Sequence, residues 1–105
     1  MSYNRSLFKN MSYHAGSVWV IDVDKEDVHI MLDRIKPDWS DKRFSLDTIR
    51  QFTAEYTHED FTATALRHIS TEFLTSMRGS FSFYTKIYVG DSYHTLTIVM
   101  TPSLD

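Results

Sequence analysis

RGSFSFYTKIYVGDSYHTLTIVMT, running from Arg78 to Thr101, is the stretch whose reading decides the fold. Phe81, Phe83, Ile87 and Val89 alternate with Ser82, Tyr84, Lys86 and Tyr88, and Leu96, Ile98 and Met100 alternate with Thr95, Thr97 and Val99. A period of two marks strands with one buried face. Gly90 and Asp91 between the two runs make a turn signal, because glycine takes the positive φ that the first central position of a type II′ turn requires. With a loop of those two residues, Phe81 faces Met100, Phe83 faces Ile98, Thr85 faces Leu96 and Ile87 faces His94, so one face of the hairpin is almost wholly apolar. A three-residue loop would slip the register by one and mix the faces.

The chain before the hairpin reads as helices preceded by one strand. Thr57 with Asp60 three positions on has the form of a capping box, and Phe61, Ala65, Leu66, Ile69, Phe73 and Met77 continue along one side for about six turns. Gly79 suits the left-handed position after the last turn, with Arg78 at the negative end of the helix dipole. Further back, Ser45 caps a helix carrying Leu46, Ile49, Phe52 and Tyr56. Asp24 caps another, with Val28, Met31, Leu32 and Ile35 spaced as one buried stripe and Pro37 ending it. Residues 38–43 form a polar connection whose Trp39 folds back onto the core. Ser17 to Val23 is a strand rich in β-branched residues, and residues 1–16 form an arm in which Leu7, Phe8, Met11 and Tyr13 are apolar enough to dock.

The order β-α-α-α-β-β predicts one α+β domain over residues 17–105, a two-layer sandwich with helices on one face of a three-stranded antiparallel sheet in the order 2-3-1. Val18, Trp19, Val20 and Ile21 then lie on an edge with no charge before Asp22 to defend it. Two copies paired along that edge would give a homodimer with a continuous six-stranded sheet.

Composition narrows the function classes. A chain of 105 residues with 42% hydrophobic and 24% charged residues is an ordinary small domain, and its 14% aromatics must fill a core or a binding face. The net charge of −3 and the scatter of the eleven Lys and Arg leave no footprint for a phosphate backbone, so no nucleic-acid partner is expected. Cysteine is absent, which removes disulfides and thiolate metal sites. With no leader and no long apolar run, the expectation is a cytoplasmic protein with no membrane partner.

Val20-Ile21-Asp22-Val23-Asp24 resembles the Asp-x-Asp opening of haloacid-dehalogenase-type phosphotransferases, which implies one Asp attacking phosphorus and the other shuttling a proton. The resemblance covers five residues, and that fold needs several βα units in a parallel sheet. The structural reading makes Asp22 a strand end and Asp24 a helix cap. Arg78-Gly79-Ser80-Phe81-Ser82-Phe83 is similar to the aromatic strand of RNA-recognition motifs, but the chain is acidic and the element order differs. The histidines His14, His29, His58, His68 and His94 have no metal-ligand spacing, although His29 and Asp33 share a face if their segment is helical. His58 and His68 point about 280° apart on a helix. Three glycines are too few for a phosphate loop, and no Gly-x-Ser-x-Gly occurs.

The outward face of the hairpin is left, with Tyr84, Tyr88 and Tyr93, and Val18 and Val20 nearby. Tyrosine combines contact area with a polar tip and is enriched at interfaces. These residues predict a small, acidic, non-enzymatic protein-interaction module of inhibitor, immunity or adaptor type, with no cofactor and no metal. The alternative is a small enzyme or metal-binding protein using Asp22, Asp24 and a histidine.

Overall fold

The computed structural model describes residues 15–103, so the expected arm lies outside the described residues except for Ala15 and Gly16. In chain order the elements are β1 (Ser17–Asp22), β2 (Asp27–Asp33), a single 3-10 turn (Pro37–Trp39), β3 (Lys42–Ser45), α1 (Leu46–Tyr56), α2 (Glu59–His68), α3 (Thr71–Ser76), β4 (Phe81–Val89) and β5 (Ser92–Pro102). The strands form one five-stranded mixed sheet in the order β3-β2-β1-β5-β4. The expected neighbours β4, β5 and β1 are adjacent, and the β4–β5 register is the expected one from Phe81 opposite Met100 to Tyr88 opposite Tyr93. Gly90 has φ of 70° while Asp91 does not share a positive φ, which fits the type II′ turn.

Several expectations are corrected. The sheet is neither three-stranded nor antiparallel throughout, because β1 runs parallel to β5 and carries β2 on its other side. The helix expected after Asp24 is β2. Asp22 Oδ1 accepts from the Lys25 N–H at 3.1 Å, Glu26 takes φ of 52°, and the chain doubles back as a hairpin with no helix to cap. The spacing of Val28, Met31, Leu32 and Ile35 imitates a helical stripe because β2 contains a bulge. Ile30 pairs with Trp19 and Leu32 with Val18, so Met31 is the extra residue. It breaks the period of two and turns Asp33 onto the same face as Val28 and Ile30.

The six-turn helix expected before the hairpin is two shorter ones. His58, and not Thr57, caps α2, its Nδ1 accepting from the Asp60 N–H at 3.1 Å. Ser70 caps α3 by accepting from the Phe73 N–H at 3.2 Å, and Arg50 Nε donates at 3.0 Å to the Ile69 carbonyl at the break. Met77 ends α3 in extended conformation, and Gly79 has no positive φ, so the left-handed ending is not used. Ser45 does cap α1, accepting from the Thr48 N–H at 3.1 Å.

The main core lies between the inner sheet face and the helices, where Trp19, Ile21, Val28, Ile30 and Met100 meet Leu46, Ile49, Ala65, Ile69 and Leu74. A smaller cluster on the outer face joins Ala15, Val18 and Val99. Both sheet edges are protected: β3 is short and carries exposed Lys42 and Arg43, while along β4 Thr57 bridges to Ile87 and the His58 N–H donates to the Lys86 carbonyl at 2.8 Å. β1 has a partner on each side, so the undefended edge expected along Val18 to Ile21 does not exist.

Gly16 extends the join between the hairpins, its N–H donating to the Thr97 carbonyl at 2.8 Å and its carbonyl accepting from the Arg34 N–H at 2.7 Å. A Cβ on residue 16 would sit 2.5 Å from the Leu96 Cβ, an atom fixed by its own strand. Gly16→Ala is therefore expected to cost about 1–3 kcal/mol in urea unfolding through forced backbone displacement. An unchanged unfolding midpoint would show that the two chains do not approach this closely.

Candidate functional site

Period-two geometry sends Phe83, Thr85 and Ile87 inward from β4 and Tyr84, Lys86 and Tyr88 outward, with Tyr93 of β5 opposite Tyr88. Tyr84 is 57% exposed, Tyr88 41% and Tyr93 48%. The Tyr88 and Tyr93 rings meet edge to face at 5.1 Å, and the Lys86 ammonium lies 5.8 Å from the centre of the Tyr93 ring. Such contacts fix ring orientation while leaving the faces open.

Two further rings enter this surface from the helix layer. Because the Thr57–His58 segment pairs with the edge of β4, the start of α2 is held beside the outer face. His58 stands 4.9 Å from Tyr93 and Phe61 stands 6.2 Å from Tyr84, both edge to face. A fourth exposed tyrosine, Tyr56 at 42%, ends α1 just before that bridge.

The other sequence candidates are placed elsewhere. Val18 and Val20 are buried, at 0% and 8% exposure, within a strand paired on both sides, so they present no surface. Asp22 is engaged in the β1–β2 turn, and Asp24 is exposed in it. His29 Nε2 pairs with Asp41 Oδ1 at 2.7 Å, and the bulge separates His29 from Asp33 onto opposite faces. Among the described residues no three His, Asp or Glu side chains come together as a metal site.

Buried ionisable chemistry is concentrated on the inner face. Asp33, 6% exposed, accepts at Oδ1 from the Ile35 and Lys36 N–H groups at 3.0 and 2.8 Å, and its Oδ2 lies 3.3 Å from Ser17 Oγ. Ser17 Oγ in turn accepts from Trp19 Nε1 at 2.7 Å. Burial raises the Asp33 pKa above the usual carboxylate value, and the backbone donors offset only part of that. His68 is packed against Phe73, Phe81 and Phe83 with ring separations of 5.0, 4.9 and 4.9 Å. Burial, then the charge of Arg67, lowers its pKa.

No protein-family model, curated protein or solved structure matches this chain. The tyrosines are legible from strand periodicity, whereas His58 and Phe61 are brought to them by an edge bridge that leaves no local sequence signal. Asp33 is hidden by the bulge. A Ser-x-Trp pair opposite an Asp carries no recognised spacing.

The raised pKa of Asp33 gives a signed prediction. The folded state holds this proton more tightly than the unfolded chain, so its contribution to stability falls as pH rises from the ordinary value of 3.8 through the folded value. Asn at this position can still accept the two N–H bonds and can donate to Ser17 Oγ. Asp33→Asn is expected to remove that downward slope and to be at least as stable as the parent at pH 7, read from urea midpoints over an acidic-to-neutral series. A midpoint difference that stays constant with pH would show that the carboxyl is not desolvated.

Proposed function

We propose that this protein works by binding another protein through the tyrosine-bearing outer surface of β4 and β5. The observation that carries this reading is the identity of the exposed large apolar residues. Among the described residues all four are tyrosines (Tyr56, Tyr84, Tyr88 and Tyr93), and all four stand on the β4–β5 hairpin or at its Thr57 bridge. Scattered exposure needs no explanation, but a rigid cluster of one amphipathic residue type is the composition of an interface core.

The surface is preorganised by its backing. Phe83 and Thr85 anchor the same strand from the inner side, while His58 and Phe61 buttress Tyr93 and Tyr84 from the flank. Little side-chain freedom remains to be lost on association, which favours affinity per unit of area. Lys86 places a cation among the rings, so a partner patch that is apolar and carries a carboxylate complements it. Inhibitor, immunity or adaptor activity belongs to this class of action.

The test uses a partner isolated from the native host by capture on the full chain and then purified. Replacing Tyr84 and Tyr93 together with Ser is expected to leave the fold intact by circular dichroism and to weaken binding of that partner about thirtyfold or more per residue in calorimetry. Arg43→Ala, on the far edge strand, serves as the control and is expected to leave binding unchanged. A folded double variant that binds the partner as tightly as the parent would remove this surface as the site.

A further inference from the structure

On the inner face, the helix layer does not close completely over the sheet. β1 begins at Ser17 opposite Ile98, so the part of the hairpin from Tyr84 to Thr97 continues past it with no third strand beside β5 among the described residues. Below α1 this leaves a cavity of about 420 Å³ whose walls include Trp19, Phe52, Ile69, Phe83, Leu96 and Ile98. The exposed lining residues Tyr56, Tyr88 and Gly90 mark its opening at the hairpin turn. Protein interiors are close-packed, and a space of this size falls in the range of small-molecule sites.

Two polar groups on the walls differ in kind. Asp33 is fully engaged: Oδ1 holds two backbone N–H groups and Oδ2 lies against Ser17. Lys36, also on the wall, pairs with Asp38 at 3.6 Å. Thr85, by contrast, is 1% exposed, and its Oγ1 has no hydrogen-bond partner among the described residues. Valine would fill the same volume on a strand without leaving a hydroxyl unsatisfied. Thr85 is one of the residues that line the cavity, and a buried hydroxyl without a protein partner calls for one from outside.

We propose that this cavity binds a small, uncharged, mainly apolar ring molecule bearing one hydroxyl or carbonyl group, which supplies the missing hydrogen bond to Thr85. The walls set the class: Asp33 repels an anion, Lys36 is paired to Asp38, and the mainly apolar lining of Trp19, Phe52, Ile69, Phe83, Leu96 and Ile98 penalises any charge taken out of water. Volume sets the size, since a cavity of about 150 Å³ accepts benzene and this one is nearly three times larger, giving room for two or three rings. Trp19, Phe52 and Phe83 provide ring surfaces for stacking. The site is independent of the tyrosine surface except that Tyr56 and Tyr88 border both.

The test titrates the full chain with the neutral fluorophore N-phenylnaphthylamine and then displaces it with naphthol or naphthalene. The expected result is saturable one-to-one binding with a Kd on the order of 10 µM. Ala65→Phe, which puts a ring into the cavity from α2, is expected to abolish it. Thr85→Val keeps the shape and is expected to weaken naphthol about tenfold while leaving naphthalene unchanged. Should Ala65→Phe fail to fold, the Thr85→Val comparison decides alone. No saturable signal up to about 100 µM, equal effects of Thr85→Val on both competitors, or probe binding that survives in a folded Ala65→Phe protein would each overturn the proposal. Binding that emerges only when Leu7 and Phe8 are both replaced by Asp would overturn it too, assigning the cavity to the chain's own first residues.

Discussion

The parallel pairing of β1 with β5 is the constraint on which everything else depends. β1–β2 and β4–β5 are each antiparallel hairpins, and a hairpin alone is marginal in water. Laid side by side, from Ser17 beside Ile98 to Ile21 beside Pro102, they become one sheet with an inner face wide enough for three helices. Burial follows the join: Val18 and Met100 are wholly inaccessible and Ile21 nearly so. The pairing also shapes the candidate sites. Because β1 starts only at the middle of β5, the outer half of the hairpin extends beyond β1, its outward side bearing the tyrosines and its inward side lining the cavity.

Local signals in the chain were reliable where one interaction decides the geometry. Alternation about Gly90 and Asp91 gives the hairpin and its register, and Ser45 gives the start of α1. Where two interactions compete, the local reading fails. Asp24-Lys25-Glu26-Asp27 has the acidic composition of a helix start, but Glu26 accepts a left-handed backbone and Val28 and Ile30 gain full burial opposite Ile21 and Trp19. Tertiary burial outweighs a helix propensity that is worth only tenths of a kcal/mol per residue. The continuous apolar run Val18 to Ile21 was itself a sign of a strand covered on both faces and flanked on both sides, which a three-stranded sheet with β1 at its edge does not allow for.

The sites divide in the same way. Outward tyrosines follow from alternation alone. His58 and Phe61 join them through a backbone bridge between segments far apart in sequence, and Asp33 reaches the inner face only because Met31 occupies no paired position. A one-residue insertion in a strand thus relocates a carboxylate from the outer face of the sheet to the inner one, beside Ser17 and Trp19. Nothing in the composition of residues 27–33 announces it.

The join between hairpins has a kinetic consequence. Gly90 and Asp91 close β4 onto β5 with almost no intervening chain, whereas Ser17 and Ile98 meet across some eighty positions. Closure entropy rises only by about 0.6 kcal/mol per doubling of the loop, but contacts of such separation slow the search for the native state. The last hairpin therefore closes over a far shorter stretch of chain than the β1–β5 join does. Lys86, standing among the tyrosines, and the Thr57–His58 segment along the β4 edge shield that hairpin in the folded chain from strand addition by a second molecule.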